Sequence, residues 1–178
     1  MSVKNCKRCR LHKTRNSVVW GRGSIDAEVK FVGEAPGAEE DKEGMPFVGR
    51  SGTLLNGVLI DIGGSDIFTK IFITNVIMCR PPNNRRPLPD EIEACGRWLR
   101  YKIKIKAPRV IVCLGRTSSD LLISNSCAWN KQYKIKGSIY IPVYHPSYVI
   151  RNGSKGEPMK KFRQGIRTAL KLGKIIGD

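Results

Sequence analysis

Four short apolar runs constrain the fold more than any other feature of the chain. They are "AEVKFVG" (27–33), "KIFITNV" (70–76), "RVIVCLG" (109–115) and "SIYIPVY" (138–144), each rich in β-branched residues. Gly, Pro or a polar residue bounds each one, so they read as strands. Their nearly unbroken apolar character predicts strands covered on both faces, as in a parallel sheet. Helical periodicity fills the gaps. In "SGTLLNGVLIDIG" (51–63), Leu54, Leu55, Val58, Leu59 and Ile62 recur at helical spacing. "LPDEIEACGRWLRYKIKIK" (88–106) opens with Pro and acids and ends basic, as a helix dipole favours. "GRTSSDLLIS" (115–124) and "EPMKKFRQGIRTALKLG" (157–173) complete the set. The alternation predicts a three-layer α/β/α sandwich around a short, mainly parallel four-stranded sheet. At 178 residues, this is one domain spanning 1–178.

The strands end on unusual residues. The first runs into Glu34 and a Gly/Pro-rich loop holding Glu39, Glu40, Asp41 and Glu43; the second ends in Thr74-Asn75; the fourth runs into "HPSY" at His145. Open α/β sheets bind ligands outside the carboxyl ends of their strands. The oddest polar residues are therefore expected at one edge.

That acidic loop sits in a basic protein, with 32 Lys+Arg against 15 Asp+Glu and a formal net charge of +17. The excess clusters, from Lys4 to Arg15 at one end and from Lys155 to Lys174 at the other. Such clustering points to nucleic acid as partner. No apolar run is long enough for a membrane span, and the polar start "MSVKNCKRCR" lacks a signal-peptide core, so a cytoplasmic, DNA-associated protein is expected. In a reducing compartment the six cysteines are read first as ligands or thiols. Cys6 and Cys9 form a C-x2-C pair, with Cys79 and Cys95 downstream. Spacing alone favours zinc over a [4Fe–4S] cluster. Cys113, inside "VIVCLG", reads as a buried small hydrophobe.

"GEAPGAEEDKEGMPFVG", "TNVIMCRPP" and "VYHPSYVIRN", in this order and interleaved with the four cysteines, resemble the signature segments of family 4 uracil-DNA glycosylases. The likeness runs from Cys6 to about Asn152. It implies an iron–sulfur base-excision repair enzyme, reverses the preference for zinc, and makes Cys6, Cys9, Cys79 and Cys95 the ligands of a [4Fe–4S] cluster. It also implies an enzyme that flips uracil out of DNA and hydrolyses its N-glycosidic bond.

The residues suit that task. The resemblance makes Phe47 the expected stacking platform for the extruded base. The Asn75 amide can accept from uracil N3–H and donate to O4, where cytosine offers the opposite pattern. By resemblance, His145 donates to uracil O2. Gly33 and Gly37 let the loop that carries Glu34, Ala35 and Pro36 bend tightly towards the base, and the amides near Glu34 and Ala35 can bind uracil O2. Glu34 is the first candidate to stabilise the sugar cation and orient water, with Glu40 or Asp41 second. Well-known uracil glycosylases carry a water-activating Asp where this chain has Ala35. For DNA, Arg50 and Ser51 open a helix whose amides suit a phosphate. Ser147, Tyr148 and Arg151 follow His145, and Tyr148, Val149 and Ile150 offer a wedge into the duplex. A monomer is expected, with a sliding clamp as candidate partner.

Two rivals keep the fold. A related group traps uracilated DNA covalently through a histidine in an Arg-Arg-Ile-His insertion, where this chain has "NNRRPLPDE" without His. A non-catalytic DNA-binding relative would have no reason to keep Glu34, Phe47, Asn75 and His145 together. An RNA-binding zinc protein would bind metal without preferring uracil.

Overall fold

The computed structural model describes residues 3–177; Met1, Ser2 and Asp178 of the expected domain lie outside that range. The four expected strands form as β2 (Val29–Gly33), β3 (Ile71–Asn75), β4 (Val110–Leu114) and β6 (Ser138–Val143). All run parallel, in the order β3-β2-β4-β6. Among the described residues the sheet has six strands, two more than the apolar runs predict. Two short antiparallel edges, β1 (Arg22–Gly23) beside β3 and β5 (Tyr133–Ile135) beside β6, close it. Neither edge carries an apolar run, so periodicity gives no sign of them. Their pairing with β3 and β6 defines them.

Helices cover both faces. Val29, Phe31, Val110, Val112 and Leu114 point into one core with Leu55, Val58 and Leu59 of α2 (Arg50–Gly63) and Phe162, Ile166 and Leu170 of α7 (Gly156–Leu172). Val32, Ile111 and Cys113 point the other way, against Leu99 of α4 (Pro89–Lys104) and Leu11 of the amino-terminal arm. This alternation along β2 and β4 follows from the two-residue side-chain period of a strand. Cys113 is fully buried, as its apolar surroundings require.

Three short helices lie where loops are expected: α1 (Ala38–Glu43), α3 (Ile67–Lys70) and α6 (Pro146–Arg151). The acidic stretch is the first of these. Glu39, Glu40 and Asp41 occupy the first turn of α1, where the helix dipole favours negative charge. The remaining expected helix, α5 (Arg116–Leu122), follows β4 directly.

The sheet order places a switch point between β2 and β4. After β2 the chain crosses to β3 on one side; after β4 it crosses to β6 on the other. Loops leaving the two strands diverge and open a crevice at their carboxyl ends.

Candidate active site

A cleft of about 850 Å³ opens at that crevice. Phe47, Asn75 and His145 all line it, together with Glu34, Ala35, Pro36 and Glu40. Segments far apart in sequence therefore converge on one rim.

Phe47 is buried and takes a left-handed backbone conformation, φ 56°, uncommon for a residue with a Cβ. Two neighbours hold it there. Asn56 Nδ2 donates to the Phe47 carbonyl at 3.2 Å. Gly52 lets that backbone rest on the first turn of α2, since a Cβ at 52 would stand 2.7 Å from Phe47 Cα and closer still to its carbonyl. The Phe47 ring lies 6.1 Å from the His145 ring, centroid to centroid. Gly52 and Asn56 are site residues that sequence reasoning misses; a glycine two residues into a helix is the available signal.

Asn75 ends β3 and is buried, and its Oδ1 has no hydrogen-bond partner among the described residues. Buried acceptors are nearly always paired, so an orphan in the wall of a cleft points to a ligand donor. Neighbouring Thr74 is engaged elsewhere: its hydroxyl donates to the Trp20 carbonyl at 2.9 Å and accepts from the buried Lys102 ammonium at 2.6 Å.

His145 caps α6. Its Nδ1 accepts from Ser147 N at 3.2 Å and lies 2.8 Å from Ser147 Oγ. Accepting from a backbone amide leaves the ring proton on Nε2. Burial, reinforced by Arg151 and opposed by Glu40, lowers the imidazole pKa to about 4, so the ring is neutral at physiological pH. Ser147, expected as a DNA contact, is thus committed to His145, and Arg151 reaches its hydroxyl at 3.3 Å.

The carboxylates divide sharply. Glu34 is partly exposed; the Thr117 hydroxyl donates to its Oε2, and Arg86 Nε stands 4.0 Å from the same atom. Among the described residues, its Oε1 has no hydrogen-bond donor. Glu40 instead accepts three main-chain N–H groups, from Gly37 at 3.0 Å, Val48 at 3.1 Å and Gly49 at 2.9 Å. It clasps the loop carrying Phe47 to the start of α1. Asp41 does not reach the cleft. It is buried, and binds the Asn16 and Ser17 amides of the arm at 3.0 and 3.1 Å. The wedge also narrows: Val149 is fully buried in the core and cannot enter DNA, whereas Tyr148 is 39% exposed. Arg50, Ser51 and Arg151 line the same cleft.

Away from it, Cys6, Cys9, Cys79 and Cys95 line one small cavity between the arm, the end of β3 and α4. Arg15 donates to Cys79 Sγ at 3.1 Å, and Arg8 ties the arm to the Ala94 carbonyl at 3.2 Å. Burial pushes the Cys95 thiol up to about 11 and raises Cys79 and Cys9. Four clustered thiols fit a metal-bound set, because only a cation favours their thiolates there. Among the described residues, no three His, Cys, Asp or Glu side chains gather closely enough for a single metal ion. Cys127 is buried and lies apart from this set. Among the described residues, no helix is long and apolar enough to cross a membrane.

The family model described as the Uracil DNA glycosylase superfamily matches residues 20–171. A Type-4 uracil-DNA glycosylase of Thermotoga maritima is 44% identical over 85% of this chain and 81% of its own. That of Sulfurisphaera tokodaii is 42% identical over 91% of this chain and 80% of its own. In Saccharolobus solfataricus, the enzyme of the same name is 40% identical over 99% of this chain and 87% of its own.

Proposed function

The chain belongs to the uracil DNA glycosylase superfamily, and on that premise we propose that its cleft takes uracil out of DNA and hydrolyses the N-glycosidic bond, leaving an abasic site. The observation that carries this reading is the orphaned Asn75 Oδ1 in the same cleft as Phe47 and His145. Uracil N3–H is the donor that oxygen lacks, and the Asn75 amide N–H meets O4. Cytosine presents an acceptor at N3 and an amino group at position 4, leaving buried groups unpaired at about 1–3 kcal/mol each. Phe47 stacks on the extruded ring.

Cleavage sends the bonding pair to uracil N1, and negative charge spreads to O2. His145 supplies a neutral Nε2–H there. A preorganised donor of this kind in a dry site contributes about 3 kcal/mol. The sugar becomes cation-like at C1′. Glu34 stabilises it and takes a proton from the water that adds to C1′, with Thr117 holding one carboxylate oxygen so that the other meets the water. Glu40 acts as a positioning residue, keeping the Phe47 loop against the base. Ala35 and Pro36 form the wall beside Glu34. Arg50, Ser51 and the free amides opening α2 receive a phosphate, and Arg151 a second.

Cys6, Cys9, Cys79 and Cys95, which line one small cavity, would hold a [4Fe–4S] cluster. Four thiolates can hold a lone zinc or a cluster, and the similarity to Type-4 uracil-DNA glycosylases favours the cluster. When bound, the cluster is a structural staple, joining arm, strand end and helix.

The test is direct. A labelled oligonucleotide with one uracil is incubated with the protein and treated with alkali. A break at uracil, with none at cytosine or thymine in matched strands, is the expected result. An intact strand from folded, metal-loaded protein overturns the reading in favour of a DNA-binding relative.

A further inference from the structure

Beyond Phe47 and His145, the cleft has a second group of aromatic rings that base excision itself leaves unexplained. Tyr144 and His145 are consecutive, yet their rings serve different neighbours. His145 lies beside Phe47, whereas Tyr144 lies 4.8 Å from the Trp129 ring and 4.9 Å from the Tyr148 ring, centroid to centroid. Arg116 extends the row, its guanidinium 4.4 Å from the Trp129 ring and anchored on the Cys127 carbonyl at 3.2 Å. Trp129, Tyr144, Tyr148 and Arg116 all line the cleft. Val149 buries α6 against the core, while the adjacent Tyr148 stays 39% exposed.

We propose that this row is a second nucleobase subsite, which stacks the base adjacent to the flipped uracil on the same strand. Tyr148 makes the contact, and Tyr144 and Trp129 are positioning residues that hold its ring. The inference rests on the glycosylase reading. Three observations select this occupant. The row is continuous with the uracil cleft, which is far larger than one pyrimidine requires. Tyr148 stands one helical turn from His145, its amide donating to the His145 carbonyl at 2.9 Å, so a neighbouring nucleotide falls within its reach. Arg151, three residues on and exposed, places positive charge where that nucleotide's phosphate would lie. Aromatic faces hold successive bases without reading their identity, because every base has a π-face.

The experiment removes the base instead of the backbone. KM and kcat are measured on single-stranded and paired oligonucleotides carrying one uracil, with the 5′ or the 3′ neighbour replaced by a stable abasic spacer. Wild type, Tyr148→Phe, Tyr148→Ala and Trp129→Leu are compared, with a thermal melt for each. One spacer position raises KM roughly tenfold for wild type and Tyr148→Phe. The same spacer costs Tyr148→Ala less than about twofold, because the platform is already gone, and Trp129→Leu falls between. A role in packing alone moves the melt and leaves the spacer penalty equal in wild type and Tyr148→Ala; that result overturns the subsite, as does the absence of any penalty in wild type. Failure of wild type to open the strand at uracil with all bases present is a different outcome, and removes the glycosylase reading and the subsite together.

Discussion

Gly33 and Asn75 are register partners across β2 and β3, and the Asn75 amide oxygen fills the space that a side chain at position 33 would need. A Cβ there would also stand 2.7 Å from Phe47 Cζ. One missing methyl thus lets the hydrogen-bonding group and the stacking ring share a site. Gly33→Ala forces both aside. Overpacking of this kind costs about 1–3 kcal/mol of stability, and the uracil excision rate falls on the order of 100-fold because two pocket groups are displaced together. Steady-state kinetics beside a thermal melt checks this; wild-type kinetics would remove both residues from the pocket.

Asn75→Asp keeps shape and replaces the amide donor with an acceptor. Opposite uracil O4, two acceptors then face one another, and excision falls about 10- to 100-fold. The strand-break assay reads the loss directly. An unchanged rate takes Asn75 out of base recognition.

The two cleft carboxylates separate by different measurements. Glu34→Gln keeps the Thr117 contact but loses the charge, so kcat collapses while the melting temperature holds. Glu40→Ala releases three main-chain N–H groups, and the melting temperature drops by several degrees, in line with about 1 kcal/mol per lost bond. Equal loss of melting temperature in both variants would defeat this division.

Much of this is legible in the sequence, and the misses share a cause. The four parallel strands and the helices over 50–63, 89–104, 116–122 and 156–172 follow from patterns set by burial, which the chain writes as apolar period. "YKIK" marks where that signal stops. Residues 101–104 are helical in α4, while Tyr133–Ile135 is the edge strand β5. The same letters take whichever form their neighbours complete. In the site, Asn75 and His145 stand at or just past strand ends, and the resemblance of the three motifs singles them out together with Phe47. Which acid faces the cleft is not readable, because Glu34, Glu40 and Asp41 are alike in chemistry and differ only in partners. Val149 escapes for a similar reason: an apolar residue after a site histidine gives no sign of which way a short helix turns it.

The pH response of His145 runs opposite to a pH switch near neutrality. Its folded pKa is about 4, lowered first by burial, against about 6.5 unfolded. The unfolded chain therefore takes up the proton first as pH falls. Stability due to the neutral ring is complete above about pH 6.5 and is lost progressively as pH drops towards 4. Excision should show no histidine inflection between about pH 8 and 5. With only His12 as the other histidine, an NMR titration compared with His12→Gln assigns the value. A His145 midpoint near 6.5 would mean a solvated ring and a different donor at uracil O2.

Metal content decides between cluster and zinc, and it also tests how the arm is held. Apart from the cysteines, the arm is fixed by a surface pair between Arg10 and Asp90 at 2.6 Å, by Arg8 on the Ala94 carbonyl, and by Asp41 on Asn16 and Ser17. Leu11 is buried in the second core and Asp41 is buried as well, whereas an exposed pair contributes about 0–1 kcal/mol, so the residues before Leu11 depend most on the staple. Protein prepared without oxygen should be brown, with about four irons and four sulfides per chain. Cys95→Ser should lose the colour, and hydrogen exchange should then rise in residues 3–19 and around Cys79 while β2 and β4 stay protected. About one zinc per chain, colourless and tightly held, would instead mean that the sulfurs close around a single ion and that the arm packs differently.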